Sequence, residues 1–160
     1  MRIAIVSDTH SRTATVQRTL ALIAEHDPEL ILHCGDLEDA DTVRLFPAGT
    51  QFVFGNCDHD RKGIRAAVEE IDARLHEPFG HLQLDGKTLA FLHGDDPHLL
   101  RDLIVAETFD YLFHGHTHVR RDERIGPTRV INPGALHRAR PKTFAILDVA
   151  TGELRTLEVE

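Results

Sequence analysis

The stretch Asp110-Tyr111-Leu112-Phe113-His114-Gly115-His116-Thr117-His118 joins an apolar run to three histidines in five residues. Tyr111, Leu112 and Phe113 lie between polar flanks, a pattern that predicts a short buried strand. The histidines then stand on the loop that leaves it. Neutral imidazole is the commonest protein ligand for metals, so the cluster points to a metal site. A solvated loop that happens to be histidine-rich is the alternative, because such a tract alone is only suggestive. The choice depends on whether oxygen donors stand at matching places elsewhere in the chain.

Upstream the same arrangement recurs. Ile3-Ala4-Ile5-Val6 runs into Ser7-Asp8-Thr9-His10, and Leu30-Ile31-Leu32 into His33-Cys34-Gly35-Asp36. Phe52-Val53-Phe54 leads to Gly55-Asn56-Cys57-Asp58, and Leu89-Ala90-Phe91-Leu92 to His93-Gly94-Asp95-Asp96. Helical patterns follow several of these loops. Val16, Leu20 and Ile23 recur at helical spacing until Asp27-Pro28, and a shorter helical segment precedes Phe46-Pro47. Ile64, Val68, Ile71 and Leu75 mark one face of a third helix. Asp96 suits a cap and Pro97 a first helical position for a fourth, carrying Leu99, Leu100 and Leu103.

The last third loses the helical period. Val119 to Ile125, Arg129 to Ile131, Thr143 to Val149 and Leu154 to Val159 read as antiparallel strands, punctuated by Gly126-Pro127, Pro133-Gly134 and Thr151-Gly152. No linker, low-complexity segment or solenoid repeat interrupts the 160 residues, so a single domain over 1–160 is expected. A chain of this size buries roughly 70% of its unfolded surface and needs no staples.

Composition narrows the function classes. A net charge of −8 argues against stable nucleic-acid binding or attachment to an anionic membrane, both of which require Lys and Arg to neutralise phosphates. The N-terminal apolar run is only four residues, too short for a signal peptide or a span, and two cysteines are too few for a disulfide framework. A cytoplasmic protein is expected.

Five strand ends thus deliver seven donors: Asp8, His10, Asp36, Asn56, His93, His116 and His118. In open α/β sheets the loops beyond the carboxyl ends of strands converge on the ligand. Individually, Asp8 or Asp36 could cap a helix, Asn56 could hold a turn, and His93 could be a satisfied strand-end histidine. Five such coincidences are harder to assign to turn chemistry. Seven donors exceed one tetrahedral zinc, and imidazole mixed with carboxylate and amide oxygen suits a pair of first-row ions.

In their order along the chain, Asp8-x-His10, Gly35-Asp36, Gly55-Asn56, His93-Gly94 and Gly115-His116-x-His118 resemble the signature of the calcineurin-like metallophosphoesterases. Gly55-Asn56-Cys57-Asp58 and Asn132-Pro133-Gly134 are similar to the compact bacterial and archaeal phosphodiesterases within it, a subgroup related to the retromer scaffold subunit. The resemblance implies an α/β four-layer α-β-β-α sandwich, with two mixed sheets flanked by helices. It also implies hydrolysis of a small phosphoester, most readily a diester, by a hydroxide bridging two divalent ions. By that resemblance Asp8, His10 and His118 hold one ion, Asn56, His93 and His116 the other, and Asp36 bridges. Mn²⁺ is the first expectation, with Fe, Zn or Ni as alternatives. His116 and His118, two apart in an extended segment, are expected to reach adjacent ions.

Many members of the superfamily carry a histidine directly after the asparagine, as an acid for the leaving oxygen; Cys57 stands there in this chain. A thiol is a poor substitute acid, which suggests a preference for good leaving groups. His59 is a candidate acid if its loop folds inward, and a small buried hydrophobe is the ordinary reading for Cys34 and Cys57. His33, His114 and Asp58 are candidates to support the ligands. His26, His76 and His81 are expected near helix ends or turns; His98 and His137 could line the mouth of the site, but nothing in their spacing favours it. Arg61, Lys62, Arg65, Arg138 and Arg140 either steer phosphate or form a solvated face. Two other functions use the same residues: a non-catalytic scaffold on the same fold, and a hydrolase of a substrate other than phosphate. Exposed edges of the late strands would permit a homodimer.

Overall fold

The computed structural model describes residues 1–160. The chain runs β1 (Arg2–Val6), α1 (Thr13–Glu25), β2 (Leu30–His33), α2 (Ala40–Arg44), β3 (Gln51–Val53), α3 (Arg61–Glu70) and β4 (Arg74–His76). There follow β5 (Gly80–Leu84), β6 (Lys87–Phe91), α4 (Pro97–Val105), β7 (Tyr111–Phe113), β8 (Arg121–Ile125), β9 (Thr128–Asn132), β10 (Lys142–Asp148) and β11 (Leu154–Val159).

Two mixed sheets form. The first has the order β11-β10-β1-β2-β3-β4 and the second β5-β6-β7-β9-β8. β1 to β4 are mutually parallel, while β10 and β11 add antiparallel strands at one side. In the second sheet β6, β7 and β9 are parallel, flanked by antiparallel β5 and β8.

Strand alternation sorts the apolar residues into three layers of core. Ile3, Ile5, Leu32 and Val53 pack against Leu89, Phe91, Phe113 and Ile131, joining the two sheets. Ala4, Val6, Ile31 and Phe52 turn the other way, against Val16 and Ile23 of α1 and Ile64, Ala67 and Val68 of α3. Ala90, Leu92, Leu112 and Val130 pack against Leu103 of α4. The expected four-layer α-β-β-α sandwich is therefore formed. No helix is long and apolar enough to cross a membrane.

The helix starts follow local chemistry. Asp39, Asp60 and Asp96 accept from Thr42 N–H, from Gly63 N–H, and from the His98 and Leu99 N–H groups respectively, satisfying otherwise free amides of the first turn. Pro97 opens α4, as its sequence predicts.

Two expectations need correction. The helical pattern through Leu75 runs past the helix: α3 ends at Glu70, and Leu75 lies on β4, paired with Phe52 of β3. The pattern persisted because Ile71 and Leu75 both pack onto the same core, one from the helix end and the other from the sheet face. Second, His76 and His81 lie on strands β4 and β5 rather than at helix ends or turns. β4 is three residues long, and β5 alternates buried Gly80 and half-buried leucines with exposed His81 and Gln83, too weak an apolar signal to announce a strand.

Candidate metal centre

β1, β2 and β3 of one sheet, and β6 and β7 of the other, end on a common edge of the sandwich. Cross-sheet contacts fix it there: the His93 ring Nδ1 lies 2.8 Å from the Cys34 carbonyl, and the His116 N–H donates to Asp8 Oδ2 at 3.2 Å. The fit is close. A Cβ on Gly115 would lie 1.8 Å from Ser7 Oγ and 2.7 Å from Asp8 Oδ2, and one on Gly55 would lie 2.1 Å from Asp36 Oδ1. Only glycine lets these loops approach the carboxylates.

The backbone in these loops is unusual. Asp8, His10, Asp36, His116 and His118 have φ of 57°, 45°, 61°, 66° and 58°, a region that few residues other than glycine occupy. This corrects the extended geometry expected for His116-Thr117-His118. The two imidazoles diverge because each residue is left-handed, not because they alternate along a strand. Between them Thr117 Oγ accepts from the Asn132 amide at 3.1 Å, at the end of β9.

All seven predicted donors come together. His10 Nε2 and His93 Nε2 stand 3.4 and 3.3 Å from the same atom, Asp36 Oδ2. On one side His118 Nε2 is 3.1 Å from Asp8 Oδ1 and His10 Nε2 is 4.0 Å from it. On the other, Asn56 Oδ1 lies 3.0 Å from His93 Nε2 and 3.1 Å from His116 Nδ1. Two groups of side chains therefore meet at Asp36. His59 does not join them: it is exposed, its backbone N–H donates to the Cys57 carbonyl, and its imidazole belongs to none of the converging groups.

The tautomers suit the arrangement to a cation. A carbonyl only accepts, so His93 carries its proton on Nδ1 towards Cys34 and turns the Nε2 lone pair onto Asp36 and Asn56 oxygens. His10 likewise directs Nδ1 at Glu38 Oε1, 2.7 Å away, leaving Nε2 facing Asp36. Asp8 Oδ1 and His10 Nε2 are buried without a hydrogen-bond partner. Lone pairs converging in this way, with buried atoms left unpaired, need a cation between them. The residues fit a divalent metal, and the imidazole and oxygen donors suit first-row ions.

Without a metal, a proton takes that place. Burial works against a charged His93, but the hydrogen bond and charge of Asp36 outweigh it and push the imidazole up to about 9. Burial likewise opposes ionisation of Asp36, yet His93, the Cys57 N–H and His10 hold its carboxyl well below the usual range.

A surrounding set of polar groups holds these side chains in position. The buried Asp58 carboxylate accepts from Asp36 N–H at 3.1 Å, Gly55 N–H at 2.7 Å and Glu38 N–H at 2.7 Å. Burial raises its pKa despite those donors. His33 accepts from Gly35 N–H through Nδ1 and contacts Thr9 Oγ through Nε2; burial pushes it down to about 3, so it is neutral. His114 Nδ1 lies 3.0 Å from the Gly115 carbonyl, and burial pushes that imidazole down to about 4. All three candidate supports therefore hold loops rather than donors directly. Glu38, which orients His10, had no signal in the sequence beyond an acid two places after Asp36. Cys34 is fully buried, as a small hydrophobe would be. Cys57 is only partly buried; its N–H donates to Asp36 Oδ1 at 2.8 Å, and burial together with Asp36 pushes the thiol up to about 11.

The profile of the calcineurin-like phosphoesterase superfamily domain matches residues 1–152. The chain belongs to the calcineurin-like phosphoesterase superfamily. Within this superfamily it is 26% identical over 166 residues to a phosphodiesterase of Methanocaldococcus jannaschii, covering 100% of each chain. A solved structure of an archaeal phosphodiesterase superposes with a TM-score of 0.91 at 25% identity, covering 99% of this chain and 100% of that one. Vacuolar protein sorting 29 of Cryptosporidium parvum shares the fold, with a TM-score of 0.68 at 17% identity over 98% and 95% of the two chains. The metallophosphoesterase resemblance in the sequence is thereby established, as is its link to a sorting protein of the same fold.

Proposed function

We propose that residues 1–160 form a metal-dependent phosphodiesterase working with two divalent ions, Mn²⁺ first among them. Asp8, His10 and His118 would hold one ion, Asn56, His93 and His116 the other, and Asp36 both. The observation that carries this reading is the double convergence on Asp36 Oδ2, with His10 Nε2 at 3.4 Å and His93 Nε2 at 3.3 Å. When bound, such a pair lowers the pKa of water and neutralises charge on phosphoryl oxygens. The chain's own part is to present lone pairs. Cys34 carbonyl and Glu38 set the imidazole tautomers, and Asp58 holds the Asp36 and Asn56 loops.

No strong acid stands ready for the leaving oxygen. His59 is exposed and apart from the cluster, and the Cys57 thiol keeps its proton at neutral pH. Substrates with good leaving groups are therefore favoured, activated diesters above all. The two free cysteines suit a reducing, cytoplasmic setting. A non-catalytic scaffold remains the second reading, supported by the fold likeness to the sorting protein. A scaffold has no need of all seven donors, and none is replaced.

The test is metal analysis of the isolated protein with a titration of Mn²⁺ against hydrolysis of bis(p-nitrophenyl) phosphate. Activity should reach its plateau at two equivalents and collapse in Asp36→Asn. A plateau at one equivalent overturns the shared-carboxylate pair; tight metal binding with no phosphoester cleaved favours the scaffold.

A further inference from the structure

Beside the metal centre stands a cation that the proposed chemistry does not use. Arg12 follows His10 by two residues, and its Nε–H donates to His137 Nδ1 at 3.3 Å. The His137 ring in turn packs on His10, with centroids 5.0 Å apart. His137 is held from behind. The preceding Leu136 is fully buried in the core, and its N–H donates to the Ser7 carbonyl at 3.2 Å, next to Asp8. The loop is pinned further by Thr143, whose N–H donates to Ala135 and whose hydroxyl donates to the Pro133 carbonyl.

Seven of the fifteen arginines of this acidic chain meet a carboxylate. Arg44, Arg65, Arg121, Arg129 and Arg155 are among them, whereas Arg12 meets none. Its side chain meets the imidazole through Nε–H, which leaves both terminal nitrogens of the guanidinium to grip a phosphate in two-point fashion. Arg138, beside His137, adds a second cation without a carboxylate partner.

We propose that Arg12, oriented by His137, is an anion subsite for a second phosphate carried on one arm of the substrate. Arg12 reaches the cluster only through His137 and not by touching a ligand. The guanidinium is therefore one side chain away from the donors, a place for a neighbouring phosphate rather than the reacting one. The proposal rests on the phosphodiesterase reading and narrows its substrate class to diesters bearing a further phosphate.

The test compares a p-nitrophenyl phosphodiester of thymidine with and without a further phosphate on the sugar. In the wild type the further phosphate should raise kcat/KM, mainly through KM. Arg12→Ala should cut that advantage by about tenfold, the scale of one charge-assisted hydrogen bond, Arg12→Lys should keep part of it, and His137→Ala should move in the same direction as the alanine variant. An equal advantage in wild type and Arg12→Ala overturns the subsite, as does an equal loss on both compounds, which would put Arg12 at the reacting phosphate. Calorimetric binding of thymidine bisphosphate to the metal-loaded protein decides the matter separately. If neither diester is cleaved, the phosphodiesterase reading fails, and the subsite then stands or falls on weaker binding by Arg12→Ala.

Discussion

Asp58 Oδ2 accepts the backbone N–H of Asp36 at 3.1 Å, so one buried carboxylate holds another from behind. The same oxygen accepts from Gly55 N–H, and Oδ1 accepts from Glu38 N–H. Asp58→Asn keeps the shape but replaces one acceptor oxygen by a donor, so at least one buried N–H faces an N–H. The expected cost is about 1–3 kcal/mol, read as a lower Tm, with a loss of about 10–100-fold in metal affinity by calorimetry. Unchanged metal affinity would mean that these loops are held by other contacts.

His93 makes the stability of the metal-free protein depend on pH. Its folded pKa is raised to about 9 from 6.5, so its contribution is complete below pH 6.5 and disappears as pH rises through 9. Melting curves of the chelated protein should therefore shift downwards by several degrees between those limits. With metal bound the proton is already displaced, so this fall should vanish and metal binding below pH 9 should release protons. A chelated protein equally stable at both ends of the range would argue against the His93–Asp36 pair.

Gly115→Ala tests how tightly the second sheet closes on the first. The added Cβ would lie 1.8 Å from Ser7 Oγ, so the loop carrying His116 and His118 must move away from Asp8. Destabilisation of about 1–3 kcal/mol is expected, together with a reduced metal content. Full metal occupancy in a stable variant would show that the contact is slack.

Cys57→His examines the missing acid. The Cys57 side chain lies in one group with His10 and Asp36, their donor atoms all within 4.8 Å of one another. A histidine there would offer an acid that titrates near neutrality, and such groups contribute roughly 10²–10⁴-fold. Hydrolysis of alkyl diesters should rise by about tenfold or more, while aryl diesters change less. Equal response of both classes would separate Cys57 from leaving-group protonation.

Much of the site was legible because strand ends are short and local: an apolar run followed by a donor states where the donor will be, whatever the run packs against. Asp8, Asp36, Asn56, His93 and His116 were found in that way. Leu75 and the strand Gly80–Leu84 were misplaced or missed because their apolar residues serve a surface shared with other elements, and a period read along one segment cannot tell which element owns it.

The sequence alone determined the order of strands and donors, the type of chemistry and the absence of a histidine after Asn56. Only the tertiary structure decided which donors lie against one another and what holds them. Glu38 against His10, Asp58 beneath Asp36, and Arg12 on His137 are contacts between loops that leave different strands. They exist only once the strands lie side by side and their loops converge, and no single stretch of the chain encodes that.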